Sequence, residues 1–326
     1  MNATSRNSQA LWFVAPGRAE WCDESVATPG VGDVCVRALF SAISRGTESL
    51  VFHGRIPASE YGRMRAPFQA GQFPFPVKYG YAAVGQVDSG PADLVGKAVF
   101  ALHPHQTAYT LPREAVTVLP DGLPPARAVL AANMETALNG MWDGAAAPAS
   151  RIAVVGAGVV GSLLAFLAGR LPGAEVTLID IQPTRARIAE AFGVAFSTPD
   201  QAPVDCDLVF HASGTAAGLN TALGAAGDEA SVVEMSWYGD SAVPVTLGAG
   251  FHSRRLRLIS SQVGKVANSQ RSRWSYGRRL AAALSLLRDP KLDVLLEPAC
   301  PFRELPSRLP VILGPGSTTL CQVIAY

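Results

Sequence analysis

Gly156, Gly158 and Gly161 stand in the spacing G-x-G-x-x-G directly after the apolar run Ile152–Val155, and the next apolar run ends on an acid, Asp180. Each position has a physical use. The first glycine permits a tight turn and the second lets a pyrophosphate approach the backbone. The third lets a helix pack close to the strand, so that its first amides, at Val159 and Val160, face the phosphates. A carboxylate at the tip of the second strand can accept hydrogen bonds from an adenosine ribose diol. The chemistry is dinucleotide binding. Because Asp180 would repel a ribose 2′-phosphate, NAD is favoured over NADP. Arg185 and Arg187 follow it and would either accommodate such a phosphate or cover the start of the helix PTRARIAEAFG.

These residues need elements to hold them. With 326 residues the chain suits two domains. Its 48% hydrophobic and 16% charged content, at a net charge of +1, is that of a well-buried globular enzyme and gives no general attraction to nucleic acid. No apolar run approaches the ~20 residues of a membrane span, and the N-terminal stretch MNATSRNSQALWFVAPGRAEW lacks a signal-peptide core. Cys22, Cys35, Cys206, Cys300 and Cys321 show no paired spacing, as expected for free thiols in a reducing cytoplasm.

The first ~125 residues alternate short strand-like runs (ALWFVA, DVCVRALFSAIS, YAAVGQV, KAVFALH, QTAYTL) with glycine and proline turns. From Pro125 the texture turns helical, and then strands (IAVVG, EVTLID, DLVFHAS, ASVVEMS, LRLISS) alternate with helices expected at 159–171, 183–192, 215–225 and 276–288. That rhythm implies a parallel sheet covered by helices. After about residue 267 the rhythm is lost, so the chain is expected to return to its first domain.

An all-β start, a dinucleotide domain and a C-terminal return resemble the medium-chain dehydrogenase/reductase superfamily over nearly the whole chain. The likeness is carried by GTE at 46–48 with His53-Gly54, GYAAVG at 80–85, GKAVFAL at 96–102, METAL at 134–138 and GAGVVG at 156–161. It implies a Rossmann doubly wound parallel sheet over 131–267 and a GroES-like all-β catalytic domain over 1–130 and 268–326. It also implies a cleft holding nicotinamide and substrate, and a homo-oligomer. Zinc-dependent members carry C-x-[ST]-[DE] and G-H-E-x-x-G; here Arg45 replaces the cysteine, Tyr81 the histidine, and Ala132 stands where a third ligand would fall. Glu135 is the one nearby ligand-capable residue, and the structural-zinc cysteines are absent. His103-x-His105 is a pair without a third ligand, so no metal is expected. The segment Ile43–Glu48 and the following SLVFHGRIP are also similar to the bacteriochlorophyllide hydroxyethyl dehydrogenases, too partially to transfer a substrate.

Without a Lewis acid, hydrogen-bond donors or a cation must stabilise a developing alkoxide. By resemblance, Thr47 occupies the hydroxyl relay position, Tyr81 would supply a phenol, and Arg45 would place a positive charge where zinc carried one. Glu48 would orient Arg45 or act as base. Alternatively, Thr47 and Glu48 only knit the domain edge, and Arg45 pairs with Glu48 or meets a pyrophosphate. Thr136, Ser213 and Gly214 are further cofactor candidates, the first by resemblance and the others at the carboxyl end of a parallel strand.

Two more stretches stand out. Residues 55–79 form a long loop whose aromatics (Tyr61, Phe68, Phe73, Phe75, Tyr79) alternate with Arg55, Arg63, Arg65 and Lys78. This is either a wall for a planar or anionic substrate or a secondary core. From Arg254 to Arg279 eight cations occur without an acid, as a solvated face or as phosphate contacts.

The expectation is a cytoplasmic, zinc-independent, NAD-dependent oxidoreductase acting on a secondary alcohol or ketone, with a small-molecule substrate and neither nucleic-acid nor membrane partner. The alternatives are an NADPH-dependent quinone or enone reductase and a catalytically silent dinucleotide-binding protein.

Overall fold

The computed structural model describes residues 7–326. Residues 1–6, where the stretch read for a signal peptide begins, lie outside the described residues. The chain divides into two compact units: Met1–Ala132 with Leu280–Leu292 and Leu296–Tyr326, and Asn133–Arg279 with Asp293–Leu295.

The first unit opens with β1 (Asn7–Ala15), β2 (Arg18–Ser25), β3 (Asp33–Ile43), a helix α1 (Arg45–Phe52), β4 (Ala70–Gly71) and β5 (Val77–Lys78). It continues with β6 (Ala83–Ser89), β7 (Ala98–Ala101), β8 (Ala108–Pro112), β9 (Val116–Val118) and α2 (Pro125–Ala128). Every strand-like run expected in this region is a strand. The segment carrying Arg45, Thr47 and Glu48 is a helix, which its glycine and β-branched threonine gave little reason to expect.

In the second unit α3 (Ala131–Asp143) leads into β10 (Arg151–Val155), α4 (Val159–Ala168), β11 (Glu175–Ile179), α5 (Ala186–Phe192) and β12 (Ala195–Ser197). Then follow β13 (Cys206–His211), α6 (Ala216–Ala225), β14 (Ala226–Glu234), α7 (Gly250–Ser253) and β15 (Arg257–Ser260), after which the chain passes back to the first unit within α8 (Tyr276–Leu286). The chain closes in the first unit with β16 (Leu296–Pro301), α9 (Leu305–Ile312) and β17 (Cys321–Ala325).

The second unit holds one six-stranded sheet of order β12-β11-β10-β13-β14-β15, with every pairing parallel. Its inner strands β10 and β13 are mostly buried and apolar, whereas the edge strands β12 and β15 are half-buried or exposed. Val155, Val209 and Val232 share a buried cluster with Leu219 and Leu223 of α6. The strand order reverses between β10 and β13, and ligands bind at the carboxyl ends of strands at such a switch point.

In the first unit β17 and β3 anchor a seven-stranded sheet of order β16-β17-β3-β6-β7-β9, with β8 paired to β3. A smaller sheet runs β2-β1-β5-β4. Val34, Val36, Val99, Tyr109 and Leu111 form a core between strands of the large sheet. The architecture is therefore a Rossmann-type doubly wound sheet together with a GroES-like β unit.

Candidate functional site

The glycine turn is built as its spacing requires. Gly156 has φ +105°, a conformation closed to most side chains, and a methyl there would lie 2.6 Å from the Ser213 nitrogen. A methyl on Gly161 would fall on the Gly156 carbonyl oxygen, so α4 reaches the strand only because that residue has no side chain. At Gly158 an added methyl would meet nothing within 4 Å. It caps α4 without any side-chain hydrogen bond, so the amides of the first turn, at Val159 and Val160, have no side-chain cap from this residue.

Asp180 follows β11, and its two oxygens accept from the Ala157 amide (2.7 Å) and the Gln182 amide (2.9 Å). The acid is thereby tied to the glycine turn itself. Ile181, 77% exposed, offers an apolar surface beside it that no motif in the sequence marks. Arg185 is buried at the start of α5, whereas Arg187 is exposed. Thr136 lies half-buried on α3.

A second cluster stands at the carboxyl ends of β13 and β14, where the structure joins the expected Ser213 and Gly214 to His211 and Glu234, which the sequence does not mark. His211 is fully buried and pairs in register with Glu234. Its Nδ1 lies 2.9 and 2.8 Å from the two Glu234 oxygens, and its Nε2 lies 2.6 Å from the Ser213 hydroxyl. Glu234 also accepts from the Ser236 amide (2.7 Å) and the Tyr238 hydroxyl (2.9 Å). Burial opposes ionisation of Glu234, but the His211 bond and charge and the Ser236 bonds outweigh it and hold the carboxyl below its ordinary value. Gly214, with φ +68°, donates its amide to the Ser236 hydroxyl at 3.1 Å.

In the first unit Glu48 is fully buried, with Oε1 accepting the Ser44 amide (2.8 Å) and Oε2 accepting from His105 Nε2 (3.0 Å). His105 Nδ1 meets the Ser41 hydroxyl at 2.9 Å, and that hydroxyl meets Tyr326 Oη at 2.8 Å. Arg45 donates to the Thr319 carbonyl at 2.9 Å. Tyr81 is half-buried and its phenol is pushed up to about 12, chiefly by burial and secondly by Glu48, while hydrogen bonds from Ser44 and Thr47 pull it down. Thus Tyr81, Thr47 and Ser44 share one cluster of hydroxyls, with Glu48 behind it.

Among the described residues, no three His, Cys, Asp or Glu side chains are grouped to hold a metal ion. The donors near the positions compared with zinc ligands do not fit a tetrahedral site. His103 turns to the Pro104 carbonyl (2.9 Å) and stacks on Tyr109 at 3.8 Å, away from the partners of His105. Glu135 is buried against Arg279, at 3.0 Å.

In the long loop Tyr61, Phe73, Tyr79 and Tyr81 form a ladder of ring centroids 5.6, 5.8 and 6.0 Å apart, ending on the candidate phenol. Its cations serve the structure: Arg65 holds the Gln69 and Gly71 carbonyls, and Lys78 holds Glu24 and Gln106. Two cations of the basic stretch behave likewise, Arg254 on the Ala226 and Leu223 carbonyls and Arg279 on Glu135, Asn139 and the Val263 carbonyl.

The sequence matches no protein-family model and no curated protein. The fold is shared with solved dehydrogenases. L-idonate 5-dehydrogenase from Escherichia coli superposes with a TM-score of 0.80 at 13% identity, covering 100% of each chain. Acetophenone reductase from Geotrichum candidum, in complex with NAD, gives 0.77 at 17% identity over 98% of this chain and 97% of its own. A dehydrogenase of the zinc-binding kind from Sinorhizobium meliloti, bound to NADP, gives 0.78 at 18% identity over 98% of this chain and 100% of its own. At such identities the likeness is one of fold, and function rests on the site.

Proposed function

We propose that the chain is an oxidoreductase of the medium-chain dehydrogenase/reductase type, interconverting an alcohol and a carbonyl compound without a catalytic metal and with NAD preferred over NADP. The observation that carries the reading is the open cradle at Gly158, flanked by a strand-packed Gly161 and by an acid bonded to the turn. A pyrophosphate would lie on the α4 amides, and an adenosine ribose diol would meet Asp180. The bound dinucleotide supplies a hydride acceptor or donor.

The chain's own part in the reaction is proton handling and charge stabilisation. Tyr81, protonated throughout the physiological range, is suited to donate from Oη to the oxygen of a carbonyl substrate. Ser44 and Thr47 hydrogen-bond that phenol and ease its loss of a proton, and Glu48 raises its pKa from behind. Arg45 serves the fold through Thr319 in this reading. Phe73 and Tyr79 are buried and pack behind Tyr81 as a secondary core, and Arg65 and Lys78 are taken up by protein groups, so the loop lends no support to a planar or an anionic substrate. No described helix is long and apolar enough to cross a membrane. A homo-oligomer, expected from the resemblance, and a cytoplasmic location, expected from the unpaired cysteine spacing, belong to the same proposal.

The test is a parallel titration with NADH and NADPH, followed by turnover of secondary alcohols and ketones by wild type and Tyr81→Phe. Tighter NADH binding with turnover lost in Tyr81→Phe is the expected result. Preference for NADPH with turnover of enones or quinones would replace it by the reductase reading. Binding without turnover of any acceptor would indicate a silent dinucleotide-binding protein.

A further inference from the structure

The chain Glu234–His211–Ser213–Thr215 lies on the same sheet edge as the glycine turn, and no step above uses it. The Ser213 backbone packs against Gly156, at the place where a side chain on that glycine would stand. Gly218, in the first turn of α6, is also shaped by the chain: a methyl there would collide with Ser213 Oγ and come within 2.9 Å of His211 Nε2. A glycine early in a helix costs about 1 kcal/mol, and here it makes room for the serine–histidine pair. The outer end is Thr215, an exposed residue whose hydroxyl lies 3.0 Å from Ser213 Oγ and accepts the Gly218 amide at 3.0 Å.

Counting protons along this chain gives two complete arrangements. Glu234 takes the Nδ1 proton in both. With a neutral imidazole, Nε2 accepts from Ser213, Ser213 accepts from the Thr215 amide and hydroxyl, and the outer lone pair of Thr215 is left facing outward. With an imidazolium, Nε2 donates to Ser213, Ser213 donates to Thr215, and the Thr215 proton points outward. Protonating one buried ring thus turns an exposed hydroxyl from acceptor into donor. In both arrangements Nδ1 faces the Glu234 carboxyl at 2.8 Å. The other titratable group facing the ring is the Tyr238 phenol, 3.4 Å from Nδ1; Val155 on β10 and Gly218 on α6 contribute none.

We infer that Ser213, His211 and Glu234 form a proton relay that sets the hydrogen-bond polarity of Thr215 toward an acceptor-only oxygen, phosphate or carboxamide, of the bound dinucleotide. This rests on the dinucleotide reading of the glycine turn. Asp180 follows β11 on one side of that turn and Thr215 follows β13 on the other. The ligand portion beyond the pyrophosphate, away from the adenosine, is therefore the one presented to Thr215. His211 and Glu234 are positioning residues here; neither touches the ligand.

NADH, whose pyrophosphate does not titrate in this range, is the probe. Its Kd is measured by fluorescence from about pH 5.5 to 9, where a histidine changes charge. Wild type should bind about three- to tenfold more tightly on the acid side, the worth of one hydrogen bond. Ser213→Ala, which interrupts the relay and leaves Thr215 capping α6, should flatten that profile. Thr215→Ser should retain it. Glu234→Gln, which removes the charge facing the ring, should alter that profile, and this variant tests the same relay if Ser213→Ala does not fold. Wild-type binding that is flat in pH, or tighter on the alkaline side, or a profile unchanged in Ser213→Ala, would overturn the relay while leaving the dinucleotide site intact. Binding of neither NADH nor NADPH by wild type would overturn both.

Discussion

Nε2 of His105 lies 3.0 Å from Oε2 of Glu48, and neither side chain has any exposure to solvent. On the other side of the ring Nδ1 lies 2.9 Å from the Ser41 hydroxyl, which lies 2.8 Å from Tyr326 Oη. The carboxyl also holds the Ser44 amide at the start of α1, much as a capping-box acid does. Its first role is to hold the helix that carries Thr47. Glu48→Ala strands two buried donors and should cost about 3 kcal/mol in urea denaturation, whereas Glu48→Gln, which keeps an acceptor, should cost clearly less. Equal and small losses in both would show that the pair does not stabilise the fold.

Acid should find His103 before it finds most of the carboxylates. Burial, with smaller contributions from Lys78 and His105, lowers this ring to about 3, against only partial opposition from its bond to the Pro104 carbonyl. The unfolded chain takes up the proton near its ordinary value of about 6.5. Between those values the unfolded state binds more protons, so stability falls as pH falls, by up to roughly 1.4 kcal/mol per pH unit. His103→Phe keeps a ring between Phe68 and Tyr109 but removes the titration. Its stability, followed by denaturation at a series of pH values, should decline less steeply below pH ~6 than that of wild type.

For Tyr81 the expectation concerns rate. A phenol at about 12 remains a proton donor in neutral and mildly alkaline solution, so its ionisation should not reduce turnover below pH ~10. Tyr81→Phe should lower kcat about 100-fold or more, in the range of a lost general acid. Thr47→Val should have a smaller effect, about tenfold, because Ser44 still bonds the phenol. Retained kcat in Tyr81→Phe would move the proton-handling role elsewhere.

How much of the molecule is legible in its sequence follows the range of the interaction. The glycine turn, Asp180 and the alternation of strands and helices are local patterns, and α4, α5 and α6 begin within a few residues of their expected starts. The partners of the charged residues are not local. Glu48 and His105 are 57 residues apart, and Glu135 and Arg279 are 144 apart, so no spacing rule joins them. In the sequence His105 stands out only as half of a histidine pair, and pairing it with His103 is the wrong geometry because the two rings serve different partners. His211 and Glu234 sit inside two strand patterns in which each looks like an isolated polar residue. Only the parallel register of β13 and β14 places them side by side.

Two alanine substitutions in the glycine turn should separate folding from binding. At Gly161 the new methyl would fall on the Gly156 carbonyl oxygen, so α4 must move away from β10. Gly161→Ala should therefore lower the melting temperature and weaken NADH binding together. At Gly158 the backbone has φ −73°, which alanine adopts readily, and no atom lies within 4 Å of the added methyl. Gly158→Ala should leave the melting temperature nearly unchanged, because nothing in the folded protein opposes it. Its methyl would nevertheless occupy the path by which a pyrophosphate reaches the α4 amides, and NADH binding should weaken about tenfold or more. Thermal melts and fluorescence titration of the same preparations check both claims. If Gly158→Ala bound NADH as wild type does, the phosphates would not lie on this turn, and the placement of the dinucleotide at Gly156–Gly161 would have to be abandoned.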